Sequence, residues 1–317
     1  MASKEDKFVG MQVSPISILD EGVGPMLDTL QNRFGINALL IGTISWLGLK
    51  VGRRISWELE GWPDHGVPEP FALKGGSYIK HHPEFYKNTF IDKFQNIDEK
   101  LQDKDILDMV IPEARKRGML VYPEVMEPLF KYAGHGSSNN IPIPNLPQVL
   151  EVDVFNRISS EPCINNPAYR TWWHSIIEDY ARNYDIDGIM WCNEGRSPID
   201  NRLVGNSPNC FCKHCRQEAT ERGIDVEKVI RAFKELYAYV QKARAGEEFV
   251  DGSFIEFLRI LYLNPEVMEW ERYWVERNKD MDRELYGITK WVNSDLKFGL
   301  NVWNRNHFNP LRKAQWP

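Results

Sequence analysis

Long hydrophobic runs are absent from this sequence. No stretch of eighteen consecutive apolar residues occurs, so a membrane-spanning helix is not expected. The opening decapeptide, Met1–Gly10, has no basic stretch leading into an apolar one, so no secretory leader is read and the expected location is the cytoplasm. Basic stripes are missing too: 39 Lys and Arg are scattered among 45 Asp and Glu, leaving a net charge of −6 and a pI near 5.7. That balance argues against nucleic acid and against an anionic membrane surface, and points to an uncharged or cationic partner. Cysteine is scarce as well, with five in 317 residues, which makes their placement informative.

What is present is a chain long enough for a large core, read as one domain over residues 1–317. Eleven Trp, twelve Tyr and fifteen Phe make 12 % aromatics, many beside Gly, Pro, Asn and His rather than in apolar runs. Rings in such company suit stacking against sugar faces, and they equally suit the filling of a large α/β core; both readings stay open.

Short apolar strands alternate with amphipathic helices along the chain, the pattern of parallel βα units. Five strands are read, at Phe8–Ser14, Ala38–Thr43, Met119–Tyr122, Asp187–Cys192 and Lys297–Trp303. Helices are expected at about Gly24–Phe34, Asp105–Arg117, Pro167–Tyr184, Val226–Ala245 and Glu266–Asn293. Two stretches read as irregular: a long loop at 46–98, rich in Gly, Pro, His and aromatics, and a Cys-rich loop at about 195–222.

The fourth strand ends abruptly in polar chemistry, Gly188-Ile189-Met190-Trp191-Cys192-Asn193-Glu194-Gly195-Arg196. A carboxylate at the C-terminal end of a parallel strand is where α/β barrels keep their working groups, and it is also where a turn-capping carboxylate would sit. Asn193 can donate to a ligand hydroxyl. Trp191 and Trp303 could wall the site, an apolar setting that would raise the pKa of Glu194 toward that of a general acid. Three cysteines fall in Cys210-Phe211-Cys212-Lys213-His214-Cys215, a C-x-C-x2-C spacing that suits one tetrahedral ion better than disulfides. Cys163, Cys192 or His214 could supply a fourth ligand.

Here a family resemblance enters. The Asn193-Glu194 pair resembles the acid/base signature of the clan of retaining glycoside hydrolases built on (β/α)8 barrels. The order Cys163–Arg170 (CINNPAYR), then Asn193-Glu194-Gly195, then Cys210–Cys215 (CFCKHC) is similar to that of family 42 β-galactosidases. The resemblance implies an α/β chain of the (β/α)8 TIM-barrel class acting on a carbohydrate, with Glu194 as acid/base. It also implies a structural zinc on Cys163, Cys210, Cys212 and Cys215, and it is compatible with a homo-oligomer. The family's nucleophile ends a seventh strand, whereas five strands are read here, so the expectation is a barrel incomplete in this sequence. Asp187-Gly188-Ile189 departs from family 42 toward a broader set of sugar-hydrolase barrels, leaving galactose specificity open.

Glu124 and Glu127 follow the third strand and could bind sugar hydroxyls, serve as a second carboxylate, or cap and pair structurally. Trp46, Tyr78, His81 and His82 in the long loop suggest a sugar subsite; His81, His82 and Glu124 could alternatively form a metal-dependent hydrolase or isomerase centre. Trp57, Trp62, Asp64 and His65 in the same loop, and Asn301, Trp303 and His307 at the last strand, are further candidates for the pocket. Asp187 starts its strand and reads as structural, as does His174 within its helix. A carbohydrate-binding barrel without a catalytic pair is the rival reading of the whole.

Overall fold

The computed structural model describes residues 7–45, 76–80, 82–91, 99–126, 145, 148–192, 197–203 and 210–301. Asn193, Glu194, Glu127, Trp46, His81 and Trp303 lie outside the described residues, as do Trp57, Trp62, Asp64, His65 and His307. In chain order the elements begin β1 (Gly10–Val13), α1 (Pro15–Glu21), α2 (Val23–Phe34), β2 (Ala38–Gly42), β3 (Ile44–Ser45), β4 (Gly76–Ser77), α3 (Pro83–Tyr86) and α4 (Glu99–Gln102). They continue with α5 (Ile106–Lys116), β5 (Leu120–Met126), β6 (Leu150–Val152), β7 (Ile158–Pro162), α6 (Pro167–Asn183), β8 (Gly188–Cys192) and α7 (Pro198–Leu203). The last are α8 (Lys213–Glu221), α9 (Val226–Arg244), α10 (Ser253–Leu263), α11 (Glu266–Val292) and β9 (Lys297–Asn301).

The described residues group into two compact units. The first draws on Met1–Ile143, Trp173–Glu194 and Leu285–Val302; the second on Pro144–Trp172, Gly195–Glu284 and Trp303–Pro317.

The first unit holds a five-stranded sheet of order β1-β2-β5-β8-β9, every neighbouring pair parallel. All five strands read from the sequence are present, and in the sheet they stand in chain order. In β2 and β8 the signal is the continuous apolar run that a parallel strand needs when both faces are covered. One face carries Leu39, Ile41, Val121, Val125, Ile189 and Trp191, all fully buried. On that side the Trp173 ring of α6 meets Trp191 edge to face at 4.7 Å. The opposite face mixes half-buried Leu40, Gly42, Met190 and Gly299 with buried Tyr122 and Glu124. Among the described residues the sheet ends at β1 and β9, and no closed barrel is formed.

Helix ends follow local chemistry. Asp105 caps α5 by accepting from the Leu107 and Asp108 amides, both at 3.0 Å. Gly35 closes α2 in the left-handed region at φ 66, which a side chain would resist. At the start of β8, Asp187 accepts from Arg115 Nη1 at 2.6 Å and from the Val121 amide at 2.7 Å, joining α5 and β5 to β8.

The second unit is helical around an apolar cluster that includes Phe211, Val229, Phe233, Leu236 and Trp270. Two small antiparallel sheets of two strands each, β3–β4 and β6–β7, were not expected. The stretch read as one Cys-rich loop contains α7 and α8, the long loop contains β4 and α3, and α10 is a further helix. No helix among the described residues is long and apolar enough to cross a membrane.

Candidate functional site

The best-defined constellation lies in the second unit. Strand β7 ends at Pro162 and delivers Cys163, whose amide donates to the Val149 carbonyl at 2.7 Å and whose carbonyl accepts from Asn166 at 2.9 Å. Cys210 precedes Phe211, whose amide donates to the Val152 carbonyl at 2.6 Å and so fixes the segment to β6. Cys210 Sγ accepts from the Val152 and Cys212 amides at 3.4 and 3.3 Å. Cys212 is the residue before α8 and Cys215 sits in that helix's first turn, where the free amides and the helix dipole favour negative charge.

The four sulfurs lie within 4.8 Å of one another. Cys163 to Cys215 is 3.5 Å, Cys163 to Cys212 3.7 Å and Cys212 to Cys215 3.9 Å. None is disulfide-bonded, and these spacings are far beyond a sulfur–sulfur bond. A tetrahedron with metal–sulfur bonds of about 2.3 Å has edges of about 3.8 Å, the separation seen here. The cluster could hold a metal ion.

Its electrostatics agree with that role. Hydrogen bonds from Cys163, Cys210 and Cys215 hold the Cys212 thiol well below its ordinary pKa. The same sulfur contacts, then burial, push Cys163 up, and burial foremost pushes up Cys210. A bound cation would favour the thiolate form of the sulfurs that ligate it.

Beyond the sulfurs, Asn165 Nδ2 donates to Cys215 Sγ at 3.4 Å and to Tyr273 Oη at 3.2 Å, and Tyr273 in turn donates to Glu218 at 3.2 Å. Phe211 stacks flat on Trp270 at 4.5 Å. Cys163, Cys210 and Cys215 are buried. Cys212 is half-buried and borders an open groove of about 500 Å³ that Lys213, His214 and Arg216 also line. Cys192 belongs to the first unit, is buried and is in no disulfide.

In the first unit the sheet's C-terminal edge gathers other candidates. In the register Gly42 faces Glu124 and Glu124 faces Met190, and Glu124 is 1 % exposed. Strand β8 ends at Cys192, the residue before Asn193 and Glu194. Tyr78 is buried, its amide donating to the Thr43 carbonyl at 2.9 Å just past β2. His82 Nδ1 lies 2.7 Å from Asp179 Oδ1. Asp179 is fully buried and also accepts from Tyr86 Oη at 2.6 Å and Asn183 Nδ2 at 2.7 Å.

Asp179, Asn165 and Tyr273 were not singled out from the sequence. Asp179 did leave a signal: it lies three and seven residues after Ile176 and Trp172, on the apolar stripe of α6, where a carboxylate needs partners.

No family model matches this chain, and no curated protein matches it at the level of sequence. Among solved structures it is similar to α-L-fucosidase isoenzyme 2 from Paenibacillus thiaminolyticus, with a TM-score of 0.48 and 14 % identity. That likeness covers 94 % of this chain and 32 % of the fucosidase. It is also similar to a noncanonic maltogenic α-amylase, AmyB, from Thermotoga neapolitana, with a TM-score of 0.34 and 15 % identity over 62 % of this chain and 41 % of the amylase. The chain thus spans about a third and about two fifths of these proteins, and neither is named as a β-galactosidase.

Proposed function

We propose that this chain is a glycosidase domain whose parallel sheet is an arc of a (β/α)8 barrel, with Glu194 as acid/base and Asn193 orienting the substrate. The observation that carries the reading is the strand order β1-β2-β5-β8-β9, in which each strand pairs in parallel with the one before it in the chain's main series. Right-handed crossovers that always step the same way put their helices on one side, as a barrel does. The Trp173–Trp191 contact makes one face the helix-covered, outer side in this reading, and the other face, with half-buried Leu40 and Met190 and buried Tyr122 and Glu124, would be the inner side. The chain leaves β8 at Cys192, directly before the Asn-Glu pair.

In this reading Glu194 protonates the departing glycosidic oxygen and later takes a proton from water, while a second carboxylate attacks the anomeric carbon. Within this chain Glu124 or Glu127 would be that carboxylate or would bind sugar hydroxyls. Trp46, Tyr78, His81, His82 and Trp303 would line the sugar subsites. Cys163, Cys210, Cys212 and Cys215 would hold a structural zinc, all four positions filled by protein and none left for substrate.

A panel of aryl glycosides tests the proposal. One sugar should be hydrolysed, and Glu194→Gln should lower kcat/KM by about 10²- to 10⁴-fold, the usual contribution of a positioned acid/base. Hydrolysis unchanged in Glu194→Gln would remove the assignment. Saturable sugar binding in calorimetry with no turnover would move the reading to a carbohydrate-binding barrel.

A further inference from the structure

Arg202, on α7 of the second unit, is 2 % exposed, and its Nε and Nη2 have no hydrogen-bond partner among the described residues. These two nitrogens form one edge of the guanidinium plane, with parallel N–H bonds at the spacing of two oxygens in a carboxylate, phosphate or sulfate. The face of the group is already occupied, because its Cζ lies 4.5 Å from the Tyr237 ring centroid. Tyr237 meets Phe155 edge to face at 5.1 Å, and Arg157 and Lys234 stand over Phe155 at 4.9 and 5.7 Å.

Positive charge therefore crowds this corner. Arg157 and Arg244 act on Arg202 from close by, with Asp153 the opposing carboxylate. Asp153 is engaged by the turn it closes, accepting from the Phe155 and Arg157 amides at 2.8 and 2.9 Å and from Arg157 Nε at 2.7 Å. Burial foremost lowers the guanidinium pKa, and Arg244 and Arg157 act in the same sense while Tyr237 and Asp153 oppose them. A desolvated cation whose forked edge meets no acceptor is costly, and an acceptor that binds both nitrogens relieves it.

We infer that Arg202 is the anchor of an oxyanion site, in which its Nε–Nη2 edge takes two oxygens of the ligand and Arg157 and Arg244 add long-range attraction. The chemistry is shared by inorganic phosphate or sulfate and by the carboxylate of an organic acid or sugar acid. The site belongs to the second unit and does not rest on the glycosidase reading.

Isothermal titration of the full chain with sodium phosphate, sulfate, acetate and glucuronate, at ionic strength matched with chloride, tests it. At least one anion should bind saturably at one site. Arg202→Lys, which keeps the charge and loses the fork, should weaken that binding by about tenfold or more. Phosphate or sulfate binding tightest assigns an inorganic oxyanion, glucuronate a sugar acid, and acetate equal to glucuronate a simple carboxylate. No binding beyond chloride, or equal binding by Arg202→Lys, overturns the site. Should Arg202→Lys fail to fold, the exposed Arg244→Gln serves instead: about threefold weaker binding is expected from the lost attraction, and unchanged affinity overturns the inference.

Discussion

The sulfurs of Cys163 and Cys215 stand 3.5 Å apart although 52 positions separate them in the chain. Only the turn after β7 and the first turn of α8 bring them together, so an ion held there would tie those two segments in the folded state and not in the unfolded one. On the proposed zinc reading, stripping that ion should therefore lower stability before it touches any chemistry. A loss of about 2 kcal/mol or more is expected, a fall of roughly 4–8 °C in Tm for a domain of this size. Calorimetry before and after chelation, with zinc added back to restore the melt, checks this. Protein that is purified without metal and melts identically with chelator would contradict it. Cys212, beside the open groove, is the sulfur by which a chelator would reach the ion.

Two glycines in the sheet should respond unequally to alanine. A Cβ at Gly188 would overlap the Lys297 carbonyl of the neighbouring strand and stand 2.8 Å from Tyr122 Cε1. A Cβ at Gly299 would overlap the Met190 side chain, which can turn aside. Gly188→Ala should cost about 3 kcal/mol or more, because backbone must move, and Gly299→Ala about 1 kcal/mol. Urea unfolding of the two variants decides the order; equal losses would mean that β8 and β9 approach less closely than described.

Asp179 should leave a mark on the pH dependence of stability. Burial foremost raises its pKa, opposed by hydrogen bonds from Tyr86 and Asn183 and by His82. A carboxylate with a raised folded-state pKa holds its proton more tightly folded than unfolded, so its contribution is full below about pH 3.9 and is lost as pH rises through the folded value. The Tm of the native chain minus that of Asp179→Asn should thus fall as pH rises from about 4. A flat or rising difference would mean that the Tyr86, Asn183 and His82 contacts outweigh burial.

How much of this was legible beforehand depends on element length and on what each element buries. The strands Ala38–Gly42 and Gly188–Cys192 are legible because they are apolar on both faces and leave no alternation to misread. Strand ends shifted by a few residues: β1 starts at Gly10 rather than Phe8, and β5 runs on to Met126. The small antiparallel sheets escaped because Ile44-Ser45 and Gly76-Ser77 are two residues each, and because Ile158–Pro162 is polar and closes on proline. Helix α8 escaped because its apolar face is made of Cys215 and Ala219, residues that spacing arguments assign to a metal loop. The metal-binding spacing of Cys210, Cys212 and Cys215 was plain in the sequence. Cys163 was reached by resemblance, since no local pattern ties it to the others. Arg202 carried no motif at all, because a buried charge is defined by its surroundings, and Asp179 showed only as a carboxylate on an apolar helix stripe. The net charge of −6, read as favouring uncharged or cationic partners, likewise averages over a chain in which Arg157 and Arg244 act on the buried Arg202.

Asn165 provides the sharpest separation between a metal centre and a cluster of buried thiols. Its amide bridges Cys215 Sγ and Tyr273 Oη, and its Oδ1 accepts from Arg277 Nε at 3.4 Å, so the side chain is held from both ends. A donor to a ligating sulfur draws off charge from the thiolate and orients it toward the ion, and removing such a support typically weakens metal binding by about 10- to 100-fold. Asn165→Ala should therefore release zinc faster to a chromophoric chelator, within that range, while Asn165→Asp keeps the shape, loses the donor and places a carboxylate against a thiolate. The aspartate variant should lose zinc at least as readily as the alanine one. If both hold zinc as the native chain does, Asn165 is only packing, and the orientation of Cys215 comes from α8 alone.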